Sequence, residues 1–149
     1  MLEKILVGFD GSSHARRACQ VATEIASRFG SVLTLAIVRP EQRTEVDTVL
    51  ENLVPSSDDG KAFSAILEEV KERAQARGVS RVEVVYLRGE PTPSLLDWIV
   101  RNPQDLVVVG SRGLSRGRRL LLGSVSSGLV AEAPCPVLVV RGHHREHRP

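Results

Sequence analysis

Leu106-Val107-Val108-Val109-Gly110-Ser111-Arg112-Gly113 joins an uninterrupted apolar run to a polar turn bounded by glycines. A β-branched run without polar alternation suits a strand covered on both faces, as in a parallel sheet with helices on either side. Val137-Leu138-Val139-Val140 has the same character, and three more short apolar runs precede them: Ile5 to Phe9, Val32 to Val38 and Arg81 to Leu87. Helix-like stretches separate the five runs. After the first, Asp10-Gly11-Ser12-Ser13 offers side chains that cap a helix by accepting its unpaired N–H groups. Ala15, Ala18, Cys19, Ala22, Ile25, Ala26 and Phe29 then form one apolar stripe at helical spacing, and Gly30 stops it. Phe63, Ile66, Leu67, Val70 and Ala74 repeat the pattern up to Gly78. Gly89-Glu90-Pro91-Thr92-Pro93 predicts a turn into a further helix, with Thr92 as its cap and Pro93 at its first position. Strand–helix alternation of this kind predicts one doubly wound α/β domain over residues 1–140, followed by a solvated tail over 141–149.

Composition removes several classes. The 149 residues carry 20 Lys+Arg against 18 Asp+Glu, with 42% hydrophobic residues, a globular balance. The basic excess belongs to the last nine residues, where three Arg face one Glu, so residues 1–140 are neutral. Nucleic acid as a partner requires a basic stripe over many phosphates, which a neutral body does not supply. With 3% aromatics there is little to stack on single-stranded bases. No apolar run approaches the roughly 20 residues that span a bilayer, so no membrane association is expected. Met1-Leu2-Glu3-Lys4 leads straight into the first strand without a signal-peptide pattern, and two cysteines, Cys19 and Cys135, make no disulfide framework. Both point to a cytoplasmic chain, with Cys19 expected as a buried thiol on the apolar stripe and Cys135, between two prolines, as a structural one. Residues 41–60 are the least regular stretch, a short helix near Val46 to Leu53 and a loop after it, with six acids against one base.

The chemistry concentrates after the fourth strand. From Gly110 to Ser126 there are four Arg (112, 116, 118 and 119) and no acid. Gly110 and Gly113 would let the backbone turn sharply and bring N–H groups close to an anion. Gly123-Ser124-Val125-Ser126 opens the next helix, whose free N–H groups, positive dipole end and two hydroxyls make a second anion site. No Gly-Lys-Ser/Thr of a Walker loop occurs, and no Gly-x-Gly-x-x-Gly follows the first strand. His14 stands alone near a helix start, and the histidines of the tail read as solvated. No metal-ligating cluster is expected.

The spacing Gly-x2-Gly-x9-Gly-Ser, formed by Gly110, Gly113 and Gly123-Ser124, resembles the ATP-binding signature of the universal stress proteins. The resemblance extends over 1–140. It takes in Ile5-Leu6-Val7 running into Asp10-Gly11-Ser12, the Gly89-Glu90-Pro91 turn, and Ala133-Pro134-Cys135-Pro136 before the last strand. It implies a Rossmann-like domain of the adenine nucleotide alpha hydrolase-like kind: a five-stranded parallel sheet in order 3-2-1-4-5 with helices on both faces. It also implies a homodimer paired through the edge strand Val137–Val140. The cofactor implied is ATP, with or without Mg²⁺. By the same resemblance Gly8 lines the adenine, Asp10 lies by the nucleoside, and Val38, or Ile37 one position earlier, packs on the base. Gly110, Ser111, Arg112, Gly113, Ser115 and Arg116 would wrap ribose and phosphates. Gly123, Ser124, Val125 and Ser126 would receive the phosphates at the helix start.

Three functions are compatible with these residues. The first is a nucleotide-binding regulatory protein of the stress response. The second is a slow ATPase, although no Lys-Ser/Thr pair or second carboxylate is placed for efficient phosphoryl transfer. The third is a dimeric interaction module whose glycine loop is structural. The first is the expectation, with no catalytic residue.

Overall fold

The computed structural model describes residues 1–39, 63–112 and 122–142. The acidic stretch 41–60, Gly113, Ser115, Arg116, Arg118, Arg119 and the histidine tail all lie outside these residues. The described chain forms β1 (Lys4–Gly8), α1 (Ser13–Phe29), β2 (Val32–Arg39), α2 (Phe63–Ala76), β3 (Val82–Arg88), α3 (Pro91–Arg101), β4 (Leu106–Gly110), α4 (Ser124–Glu132) and β5 (Val137–Val140). All strand pairs are parallel, in the order β3-β2-β1-β4-β5. The expected α/β architecture and strand order are therefore present, with strand limits shifted by one residue at β1, β2 and β3.

Because successive side chains on a strand point to opposite faces, each apolar run feeds two cores at once. Ile5, Val7, Leu33, Leu35, Ile37, Leu106 and Val108 pack under α1 and α2, joined by Ala15, Ala18, Cys19, Ala22 and Ala26 of α1 and by Ile66, Leu67 and Ala74 of α2. Leu6, Ala36, Val107 and Val109 face the other way, against Leu95 and Ile99 of α3 and Leu129 of α4. Burial on both faces explains why the runs of β1, β2 and β4 lack polar alternation, whereas the edge strands β3 and β5 are mostly half-buried.

Local chemistry sets the helix limits. Ser12 caps α1, its hydroxyl accepting from the Ala15 N–H at 3.1 Å, while Asp10 Oδ1 accepts from the Ser12 N–H at 2.9 Å. At the far end Gly30 adopts φ +67, the left-handed conformation that ends helices without a Cβ penalty. Helix α3 departs from the sequence expectation: it begins at Pro91, with Glu90 as an N-cap that makes no side-chain bond. Proline itself provides the first helical φ and lacks only an N–H that has no intrahelical partner there. Thr92 is thus inside the helix, where it packs on Gly128 of α4, so closely that a Cβ at 128 would lie 2.4 Å from Thr92 Cγ2.

At the opposite end of the sheet, Asp105 Oδ2 accepts from the N–H groups of Glu3 and Lys4, each at 2.9 Å, and so ties the entry of β4 to that of β1. The Lys4 N–H holds this carboxyl below its ordinary pKa; desolvation opposes it, and the Glu3 N–H and the positive charges of the N-terminus and Lys4 add to the lowering. A carboxyl whose pKa is lower folded than unfolded adds stability above its unfolded pKa and loses it as pH falls through the folded value. Asp105→Asn is therefore expected to lower the denaturation midpoint at neutral pH and to flatten its decline below about pH 4. Urea titrations of both proteins across that range check this, and parallel acid limbs would refute it.

Candidate functional site

In a doubly wound sheet, ligands sit outside the carboxyl ends of the strands where the strand order reverses. Here β1 and β4 are neighbours, while their following helices, α1 and α4, pack on opposite faces of the sheet. A cleft of about 230 Å³ opens at that point. One wall is apolar: Ala36 and Val38 of β2 and Gly8 of β1, with Pro91 and Leu95 of α3 facing them. A Cβ at Gly8 would lie 3.3 Å from Val109 Cγ1 and 3.7 Å from Leu95 Cδ1, so glycine keeps this part of the cleft shallowly filled. Asp10 also lines the cleft, and Arg112 with the segment Gly123–Ser126 makes up its far end.

That far end is an anion site in its own right. Gly123 is the N-cap of α4, in extended conformation and without a side-chain cap. The first intrahelical bond is Ser127 N–H to Gly123 C=O at 3.0 Å. The N–H groups of Ser124, Val125 and Ser126 therefore precede the ladder, at the positive end of the helix dipole. The helix start is held by Ser111, whose carbonyl accepts from the Gly123 N–H at 2.7 Å. Ser126 is buried, and its hydroxyl donates to the Gly123 carbonyl at 3.0 Å, with the Ser111 carbonyl at 3.3 Å. Its contribution at the helix start is thus the backbone N–H, while the Ser124 side chain is exposed.

Among the residues named from sequence, Gly8, Asp10, Val38, Gly110, Arg112, Gly123, Ser124, Val125 and Ser126 line this one cleft. Ile37, the alternative to Val38, is buried on the opposite face under α1, since a slip of one residue along a strand changes sides. Ser111 does not line the cleft. It is buried below it, with Oγ 3.4 Å from His14 Nδ1. Gly110 has a different reason to be glycine than the one its neighbourhood suggested. Its φ is not among the positive ones, and a Cβ there would lie 2.8 Å from the backbone carbon of His14 and 2.9 Å from its oxygen. Close approach of α1 to β4, rather than a sharp turn around an anion, demands the missing side chain.

Sequence reasoning missed Phe9, Ala15, Ala36, Pro91, Leu95 and Val109 in the lining, and it missed the surroundings of His14. Ala36 had a signal: it lies two residues before Val38, hence on the same face, and is the smallest side chain of β2. His14 had none, because its contacts with Gly110, Ser111 and Gly142 come from residues about 100 positions away. Of the two free thiols, Cys19 is buried and Cys135 is partly buried. Burial, helped by the charge of Asp10, pushes the Cys19 thiol far up, and burial with Asp105 raises that of Cys135. Neither is a ready nucleophile at neutral pH. No described helix is long and apolar enough to cross a membrane.

The model of the Universal stress protein family matches residues 1–141. A universal stress protein encoded in the QAH/OAS sulfhydrylase 3' region of Thermus aquaticus is 36% identical, the match covering 95% of this chain and all of that one. Universal stress protein YxiE of Bacillus subtilis is 34% identical, with the same two coverages. Among solved structures, a universal stress protein in complex with cAMP superposes with a TM-score of 0.75 at 30% identity, over 95% of this chain and 98% of that one. UspA of Lactobacillus plantarum gives 0.77 at 28% identity, over 94% and 98%. This chain belongs to the universal stress protein family.

Proposed function

We propose that this protein binds an adenine nucleotide, ATP, in the cleft between β1 and β4 and acts as a nucleotide-dependent regulatory protein of the stress response rather than as an efficient catalyst. The observation that carries this reading is the pairing of two unlike ends in one cleft. The apolar slot of Gly8, Ala36, Val38 and Leu95 suits a flat base, and the uncapped start of α4 beside Arg112 suits phosphates. Asp10, between them, is an acceptor for ribose or base donors. The related structure solved with cAMP supports a ligand of the same class.

ATP at 100 times its dissociation constant stabilises a protein that binds it only when folded by about 2.7 kcal/mol. That corresponds to a rise in Tm of roughly 5–10 °C for a chain of this size. Thermal unfolding with millimolar ATP, AMP and cAMP, each with and without Mg²⁺, tests the assignment. No shift with any of the three would refute it, and a shift with AMP or cAMP alone would reassign the ligand. In single turnover, ATP labelled at the γ-phosphate is expected to be recovered intact after hours; release of phosphate within minutes would make the protein an ATPase.

The protein also forms a homodimer through β5 in this reading. That strand is an edge of the sheet, and Val137, Leu138 and Val139 are only partly buried. It carries no charge, whereas the other edge strand, β3, carries Glu83 and Arg88. Charges on edges oppose pairing with another chain, and uncharged apolar edges invite it. Light scattering at micromolar concentration is expected to give twice the 16.3 kDa chain mass. A species of single mass would count against the dimer.

A further inference from the structure

Ser111 sits where three parts of the molecule meet. Its N–H donates to the carbonyl of Val140, the last residue of β5, at 2.9 Å, continuing the β4–β5 pairing one residue past the end of β4. Its carbonyl accepts from Gly123 and so sets the position of the first turn of α4. Its hydroxyl is turned away from the cleft toward Nδ1 of His14, on the first turn of α1. His14 is in turn wedged from two sides. Its backbone abuts Gly110, and its ring lies where a Cβ on Gly142 would come within 2.8 Å of Cε1. Both glycines leave the space that the histidine uses.

From this geometry we infer that Ser111 and His14 are positioning residues for the phosphate end of the cleft. Together they hold the Ser111 carbonyl in the place from which it aims the N–H groups of Ser124, Val125 and Ser126. Neither side chain lines the cleft, so neither touches a bound nucleotide. The inference rests on the nucleotide reading above and deepens it: affinity for the phosphates, as distinct from affinity for the nucleoside, depends on a pair of side chains behind the site. A hydrogen bond is directional, so a helix start displaced by a few tenths of an ångström donates less well to an anion. The apolar slot of Ala36, Val38 and Leu95 is built from other elements and does not share this dependence.

The experiment measures dissociation constants of ATP and of adenosine by calorimetry for the wild type, Ser111→Ala, His14→Ala, His14→Asn and the Ser111→Ala/His14→Ala double variant. Melting without ligand establishes that each is folded. Ser111→Ala removes one oxygen and serves where the histidine variants do not fold. The Kd for ATP is expected to rise about three- to tenfold in each single alanine variant, the worth of one hydrogen bond. The double variant should lose no more than either single one, since the two act as a unit. His14→Asn, which keeps a polar atom near the position of Nδ1, should recover most of the loss. Adenosine should bind all five proteins within twofold. A wild type that binds neither ligand overturns the nucleotide reading and this inference with it. A wild type that binds ATP, with alanine variants that bind it equally well or that weaken ATP and adenosine alike, overturns the positioning role alone.

Discussion

Replacing Gly123 by aspartate is expected to abolish ATP binding while leaving the free protein as stable as before or slightly more so. Gly123 is the N-cap of α4 and has φ −60, which any L-residue adopts. A Cβ there would lie 3.3 Å from the Ser111 oxygen and 3.4 Å from Arg112 Cα, a tight fit with room to relax. An aspartate at an N-cap accepts from the free N–H groups of the first turn and gains a few tenths of a kcal/mol over glycine. Its charge at the positive end of the helix adds about 0.3–1 kcal/mol, against which the tight contact counts. The same carboxylate then occupies the donors that the phosphates need and repels them. Like charges brought together at a binding site cost several kcal/mol, which is at least a hundredfold in Kd. Calorimetry for affinity and thermal unfolding for stability read the two effects separately. Retention of ATP affinity within tenfold would show that the phosphates do not use this helix start.

Gly110→Ala is expected to be the most damaging small substitution near the cleft, and to act without any ligand. The new methyl would meet backbone atoms of His14 at 2.8–2.9 Å, and these cannot rotate away. Relief requires α1 to move off β4 or the strand to shift in its register, and forced expansion of a packed interface costs about 3 kcal/mol. The corresponding fall in Tm is roughly 6–12 °C. Since the obstruction is the backbone of residue 14, combining the change with His14→Ala should leave most of the loss in place. Denaturation in nucleotide-free buffer decides the matter. A loss under 0.5 kcal/mol would mean that the helix is not seated on Gly110 as described.

These two glycines belong to one sequence signature yet serve different ends, and this marks the limit of what the sequence discloses. Spacing alone presents Gly110 and Gly123 as equivalent parts of a phosphate loop. In the folded chain Gly123 caps its helix without a side-chain bond to the first-turn N–H groups, and Gly110 makes room for the backbone of another helix. Thr92 shows the same limit at shorter range. A threonine before proline looks like a cap, but Pro91 is already suited to start the helix, and Thr92 is used for packing against Gly128. Where a single local rule governed, the sequence was sufficient. A cap within Asp10 to Ser13, Gly30 as a stop and the stripe from Ala15 to Ala26 all follow from neighbours within one or two helical turns; Phe29, expected on the same stripe, is exposed at the end of the helix.

The sequence by itself determined the alternation of strands and helices, and with it the doubly wound class. It also placed Asp10, Val38 and Gly123 near the ends and starts of elements where ligands gather. Periodicity and capping are properties of short windows, so they can be read without knowing what packs against what. The family resemblance already implied that β1 and β4 lie side by side, but only the tertiary structure decided the register, which pairs Val7 with Val108. That register brings Asp10 and Arg112 into one cleft, turns Ser111 away from it and sets His14 against Gly110. It depends on burying both faces of the sheet at once, a condition on residues about 100 positions apart that no local pattern contains.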